Sequence, residues 1–473
     1  MEKDWIKSPP MELERLSAAL GANDVRGRAP GEVRELAYDA RTVDPGALFF
    51  CVPGAVADGH DFAPEAVARG AVALVVERPL ELPVPQLVVE DARRAMAVAA
   101  DEFFGRPTDE LQVAAVTGTN GKTTTSFLVY AVLAAAGRRP GLLGTIEARV
   151  GGERRGVKRT TPEAIDLQRT FREMLDAGDR SCAMEASSHA SELHRLDRVR
   201  FAALAFTNLT QDHLDFHGTM EGYFEAKRRL FLEGLPPAAI NVGDPWGRKL
   251  ARDRPDALTF GFADDAELGP DALARIDLRL RGRFNAENAL AAFAVGRLLG
   301  IDDEAVARGL ESVRGVPGRF ESVDEGQPFE VVVDYSHKPD ALESVLRTAR
   351  ELATGRVLCV FGCGGDRDRG KRPLMGRIAS ELADVAILTS DNPRSEDPLA
   401  IIEEVLGGVS GAIEVEPDRA AAIELAVGAA RDGDVVVIAG KGHEQGQEFA
   451  DRTIPFDDRQ VARDALRKLG AAT

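Results

Sequence analysis

At 473 residues the chain is too long for a single hydrophobic core, and at about 100–200 residues per domain it should hold two to four. Apolar residues make up 44% and charged residues 29%, the balance of a soluble globular protein. Lys and Arg number 59 against 77 Asp and Glu, a net charge of -18. This argues against a nucleic-acid partner, which needs a basic footprint, yet leaves room for an anionic small substrate in a locally basic pocket.

The opening Met1-Glu2-Lys3-Asp4-Trp5 is charged and precedes no long apolar stretch, so no secretory signal is expected. No run approaches the roughly 18 apolar residues that span a bilayer, and no membrane insertion is expected. The four cysteines, Cys51, Cys182, Cys359 and Cys363, lack the pairing of a metal site or a disulfide framework. They read as reduced, buried thiols in a cytoplasmic protein, and a monomer is expected.

In chain order, three regions separate. The first carries short apolar strands at Leu48-Phe49-Phe50-Cys51-Val52 and Ala73-Leu74-Val75-Val76 and ends near Thr108, after the breaker cluster Gly105-Arg106-Pro107. The second opens with the strand Val113–Thr117, a glycine loop, and a helical pattern from Thr123 to Ala136, with further buried strands ending at Met184 and at Thr207. Gly315-Val316-Pro317-Gly318 marks the second boundary. Beyond it the apolar runs 330–334, 357–361, 385–389 and 435–439 alternate with helical segments, which implies a parallel sheet covered on both faces. The expected fold is α/β in three domains: a smaller N-terminal α/β domain (1–108), a central P-loop-type parallel-sheet domain (109–315), and a C-terminal Rossmann-like domain (316–473). Ligands of such sheets bind beyond the carboxyl ends of the strands.

The strongest motif is Gly118-Thr119-Asn120-Gly121-Lys122-Thr123-Thr124. Glycines let backbone N–H groups curl around phosphates, and the helix that follows points its positive end at the same anion. Lys122 adds charge for the terminal phosphates, and the Thr123 hydroxyl suits Mg²⁺. Val116 stands where the common G-x-x-x-x-G-K-[ST] pattern has its first glycine, so this is a shortened variant. ATP and Mg²⁺ are the expected ligands, and a GTPase is disfavoured because no Asn-Lys-x-Asp follows. Glu185 and His213 lie just past strands near the loop; Glu185 is a suitable Mg²⁺ ligand and His213 a less usual one.

These segments, with Gly282-Arg283-Phe284-Asn285-Ala286-Glu287-Asn288 and Asp334-Tyr335-Ser336-His337, stand in the order and spacing of the Mur ligases. The resemblance covers Asp39 to Arg459. It implies an ATP-dependent, ADP-forming ligase of peptidoglycan precursor synthesis, in which ATP converts a carboxylate to an acyl phosphate and an amine then attacks. By that likeness Lys122 holds the terminal phosphates, Thr123, Glu185 and His213 serve magnesium, Asn285 and Asn288 read adenine, Arg319 lies at the phosphates, and Asp334 at the ribose. Lys227 corresponds to the lysine that family members carbamylate; read without the family it is a solvated helix lysine. In the first region Asp39-Ala40-Arg41 resembles the Asp-Ser-Arg of a UDP pocket, with Ala40 in place of the hydroxyl. Thr160, Thr161, Ser187 and Arg195 resemble contacts of the UDP-muramoyl peptide. The stretch between Phe262 and Arg281 is short beside many relatives.

Asp391-Asn392-Pro393-Arg394 resembles the signature of members that add meso-2,6-diaminopimelate to UDP-N-acetylmuramoyl-L-alanyl-D-glutamate. A guanidinium is a forked donor for the distal carboxylate that lysine lacks, so Arg394 and Arg367 are expected as buried clamps, with Asn392 as a neutral partner. Gly440 and Glu444 would accept the distal ammonium. Competing readings are the same ligase with L-lysine or L-ornithine, a folylpolyglutamate synthetase-like ligase, and a non-catalytic ATP-binding regulator. The second leaves Asp391 to Arg394 unexplained, and the third leaves Lys122, Glu185, His213, Lys227 and Asp334 without a use.

Overall fold

The computed structural model describes residues 9–22, 24–27, 31–54 and 57–472, so the Met1-to-Trp5 stretch lies outside the described residues. Among the described residues three sheets of five or more strands succeed one another along the chain, beside two two-stranded ones. The first has five strands, in the order Asp24–Arg26, Gln86–Val88, Ala73–Val76, Ala47–Phe50, Glu35–Ala37, parallel except for the first. The apolar run at 48–52 leaves the sheet after Phe50, where Val52 N–H turns back to the Phe50 carbonyl at 3.0 Å.

The central sheet has eight strands, and the phosphate loop leaves its middle. Strand Gln112–Thr117 lies between Ser181–Glu185 and Phe201–Phe206 in parallel. Its alternate residues serve two cores: Ala114 and Val116 pack on one face with Leu128 and Val132, while Val113 and Ala115 pack on the other with Phe171 and Phe231. Period-2 burial on both faces is what a parallel strand between helical layers requires. The sheet is not wholly parallel, because the hairpin Ala148–Val150 and Glu153–Arg155 adds an antiparallel edge. Pro140–Leu143, Ala238–Asn241 and Leu258–Phe260 complete it. Between Phe262 and Arg281 there is a 3₁₀ turn at Pro270–Leu273.

The third sheet has six strands, with Glu330–Asp334, Val435–Ala439, Val357–Phe361 and Val385–Leu388 parallel at its centre. Here too alternate residues split between two cores: Val331, Leu358 and Ile438 on one side, Val332, Cys359 and Val437 on the other. Glu330–Asp334, Val357–Phe361 and Val435–Ala439 have the same bounds as the apolar runs of the sequence, and Val385–Leu388 is one residue shorter than its run. All four cysteines are free and buried, and burial pushes the Cys51, Cys359 and Cys363 thiols up to about 12. Among the described residues no helix is long and apolar enough to cross a membrane.

Candidate active site

The phosphate loop is built by close approach. A side chain at Gly118 (φ +149°) would place its Cβ 1.9 Å from Thr207 Oγ1, and one at Gly121 (φ +84°) would meet Asn288 Oδ1 at 2.2 Å. Asn208 takes the N–H groups of Thr119 and Asn120, through its carbonyl and its side-chain oxygen, both at 2.9 Å. The first-turn N–H groups of helix Lys122–Ala135, which have no partner within the helix, remain for an anion.

Lys122 folds back onto the loop, donating to the carbonyls of Gly118 (3.0 Å) and Thr119 (2.9 Å). Burial, with Lys338 adding to it, pushes its ammonium down to about 8. Lys227 is buried at 1% exposure in helix Met220–Leu232 and is not the solvated lysine that its sequence neighbourhood suggests. It donates to the same Gly118 carbonyl at 2.9 Å and lies 4.7 Å from the Tyr223 ring centroid. Burial, and then the charges of Lys122 and Lys338, hold its amine well below the ordinary value.

Glu185 ends its strand inside the site. Its carboxylate accepts from Thr123 Oγ1 (3.1 Å), Thr145 N–H (2.7 Å) and Thr145 Oγ1 (3.1 Å). The same strand end organises the neighbouring wall. Thr161 Oγ1 donates to the Glu185 carbonyl (2.8 Å) and accepts from Ser187 N–H (3.2 Å), while Arg195 donates to the Thr161 carbonyl (3.2 Å) and pairs with Glu163 (2.8 Å). Thr160, Thr161, Ser187 and Arg195 thus line one cavity of about 830 Å³ with Lys122, Thr123, Glu185, His213 and Lys227. Asp39 and Arg41 do not reach it. They bind each other, Arg41 Nη2 to Asp39 Oδ2 at 2.7 Å, around the 3₁₀ turn that buries Ala40.

The C-terminal domain closes this cavity. Arg319 Nη2 donates to Thr123 Oγ1 at 3.2 Å, and its guanidinium stacks 4.5 Å from the Tyr335 ring centroid. Asp334 is buried at the end of its strand, accepts from Phe320 N–H (2.7 Å) and Ser336 Oγ, and is raised by burial. Lys338 pairs with Asp212 at 2.6 Å, and Asp212 pairs with His213 Nε2 at 2.9 Å. Of the two asparagines, Asn288 faces the cavity, while Asn285 stands behind it and accepts from Asn288 Nδ2 at 3.2 Å.

A second cavity of about 450 Å³ adjoins the first and is lined by Arg367, Asp391, Asn392, Arg394, Gly440 and Glu444. Asn392 Nδ2 donates to Glu444 Oε2 (2.8 Å), and its oxygen accepts from Lys441 Nζ (2.7 Å). A Cβ on Gly440 would meet Asp391 Oδ2 at 2.5 Å. Pro393 serves the turn: its carbonyl accepts from Glu396 N–H at 3.0 Å. The arginines are not buried as expected. Arg394 is 24% exposed and pairs with Glu448 at 2.9 Å, and Arg367 is exposed, donating to the Asp366 carbonyl of its own loop. Glu448 belongs to the hairpin Gly446–Glu448/Thr453–Pro455, which no apolar run announces. Sequence reasoning also passed over Lys441, although the glycines on either side signal a tight strand-end loop. It passed over Lys338, Asp340 and Asp212 as well, which only the meeting of two distant segments brings together.

A phosphate loop, a cleft closed by a second α/β domain, and a charged side pocket define a nucleotide-dependent transfer enzyme. The comparisons narrow the class. Residues 32–104 match the model "Mur ligase family, catalytic domain", 116–296 match "Mur ligase middle domain", and 318–442 match "Mur ligase, glutamate ligase domain". The chain is 49% identical to a protein of Solibacter usitatus named UDP-N-acetylmuramoyl-L-alanyl-D-glutamate--2,6-diaminopimelate ligase, over 93% of this chain and 95% of that one. It is 46% identical to a protein of the same name from Geobacillus kaustophilus, over 93% and 96%. A solved structure of that ligase superposes with a TM-score of 0.69 at 30% identity, covering 98% of this chain and all of the other. The chain belongs to the Mur ligase family. It is an ATP-dependent ligase.

Proposed function

We propose that the chain joins meso-2,6-diaminopimelate to UDP-N-acetylmuramoyl-L-alanyl-D-glutamate, forming ADP and phosphate, in the cytoplasmic synthesis of peptidoglycan precursor. The observation that carries this reading is the second cavity. Arg367 and Arg394 supply guanidinium donors, while Asp391 and Glu444 supply carboxylates, so the lining suits an amino acid with a distal zwitterionic head. L-Lysine and L-ornithine would bring no distal carboxylate to these guanidiniums. The test is a panel of amino acids with ATP and the UDP-linked dipeptide, followed by amide formation.

In this reading Lys122, Arg319 and the first-turn N–H groups hold the terminal phosphates, Asn288 faces adenine with Asn285 behind it, and Asp334 takes the ribose. Thr160, Thr161, Ser187 and Arg195 hold the acceptor peptide, and Asp39 and Arg41 belong to the uridine end. The site has donors for Mg²⁺: Thr123 Oγ1 and Glu185 lie together at the loop, with His213 across the cavity. Few protein ligands with phosphate oxygens is the usual Mg²⁺ arrangement. When bound, the ion would neutralise phosphate charge. The residues do the rest by positioning.

Lys227 is proposed to be carbamylated. Burial, and then the charges of Lys122 and Lys338, hold its amine below the ordinary value and so favour the neutral form, which adds CO₂, loses one proton and becomes an anionic oxygen ligand. The working unit is proposed as a monomer with domains at 1–108, 109–315 and 316–473; each of the three sheets falls within one of these segments.

A further inference from the structure

The two cavities share a wall that includes Asp212, His213, Tyr335, His337, Lys338 and Arg367. On the ligase reading, an acyl phosphate made in the larger cavity must meet an amine held in the smaller, so the amide forms at this wall. Two cations face it. Arg367 is exposed and bonded to its own loop. Lys338 is 12% exposed and fixed 2.6 Å from Asp212, which also pairs with His213.

The charge of Lys338 does not cap its own helix: Lys338 is the N-cap residue of helix Pro339–Leu352, yet its side chain caps nothing. Burying an ammonium is costly unless it is paired, and this one lies close enough to Lys122 and Lys227 to depress both. A fold that brings a further cation from a second domain into an already cationic site is prepared for an anion at that point.

We propose that Lys338 serves the second half-reaction, holding the negative charge that builds on the acyl phosphate as the amine attacks. The proposal rests on the ligase reading above. In this step the amine lone pair forms the C–N bond, and the C–O bond to the phosphoryl group breaks with its electron pair going to phosphate. The proton lost by the amine ends on that phosphate, so acyl phosphate plus amine gives amide plus hydrogen phosphate. Charge gathers first on the acyl oxygen and then on the leaving group, where a fixed, poorly solvated cation acts most strongly.

Because the Lys338–Asp212 pair also crosses between domains, a closure role has to be separated from a charge role. Lys338→Met keeps the stem and removes the charge. With ATP, Mg²⁺ and the UDP-linked dipeptide but no amino acid, acyl phosphate is trapped with borohydride; diaminopimelate is then added and amide formation is followed in a single turnover. We expect amide formation slower by about 10²–10³-fold, far more than acyl phosphate formation, and partial recovery in Lys338→Arg. Equal loss of both steps would mark a closure contact and overturn the proposal, as would loss of neither. Wild-type protein that traps no acyl phosphate would overturn the ligase reading and this proposal with it.

Discussion

The Asn120 side-chain amide donates to Asp340 Oδ2 at 2.5 Å, tying the phosphate loop to the C-terminal domain. The same oxygen accepts from Thr210 Oγ1, also at 2.5 Å, so one carboxylate grips both loops of the nucleotide site. Hydrogen bonds to a charged group contribute about 1.5–3 kcal/mol each. Asp340→Ala should therefore raise the apparent KM for ATP by about tenfold or more while the protein stays folded. Steady-state ATP titration checks this, and an unchanged KM would show that closure does not depend on Asp340.

The pH dependence of ATP use follows from Lys122, whose ammonium burial pushes down to about 8. The charged form prevails below that value and the neutral form above it. Since kcat/KM reports the free enzyme, kcat/KM for ATP should fall as pH rises through about 8, and Lys122→Met should be poorly active without that alkaline limb. A wild-type profile flat to about pH 9.5 would contradict the assignment.

Lys227→Ala should abolish turnover, and short carboxylic acids should restore part of it by supplying the missing oxygen ligand. Intact mass in bicarbonate should show the carbamate. An unmodified lysine in fully active protein would remove the idea.

Behind the second cavity, Arg419 and Asp458 form a bidentate pair at 2.7 Å, both fully buried, and Arg419 also donates to the Ala439 carbonyl at 3.0 Å. Removing one member leaves an uncompensated charge, so Asp458→Ala should cost about 3–5 kcal/mol in urea unfolding. A loss below about 1 kcal/mol, the range of exposed pairs, would contradict this account of the C-terminal core.

Much of this was legible in the residues. Runs such as Val435–Ala439 are apolar throughout because parallel strands are buried on both faces, and the loops after them carry the charges. The hairpin Gly446–Pro455 was not legible, since its short strands are half polar, and with it the Arg394–Glu448 pair went unseen. Lys227 reads as a surface lysine in its own helix. Its burial follows from the approach of the phosphate loop, to whose Gly118 carbonyl it is bound, and no local pattern encodes that approach.

The central claim, that the second cavity selects meso-diaminopimelate, is tested most directly by kcat/KM for that amino acid against L-lysine. Fully buried clamps would give a preference of about 10⁴–10⁵. Arg394 keeps solvent access and a Glu448 partner, so lysine leaves it less starved. With about 1.5–3 kcal/mol for each charged contact, two arginines give roughly 10²–10⁴-fold, and Arg394→Ala should remove about half of that in free energy while leaving KM for ATP unchanged. L-Lysine or L-ornithine as the better substrate of the unaltered protein would contradict the account of the pocket.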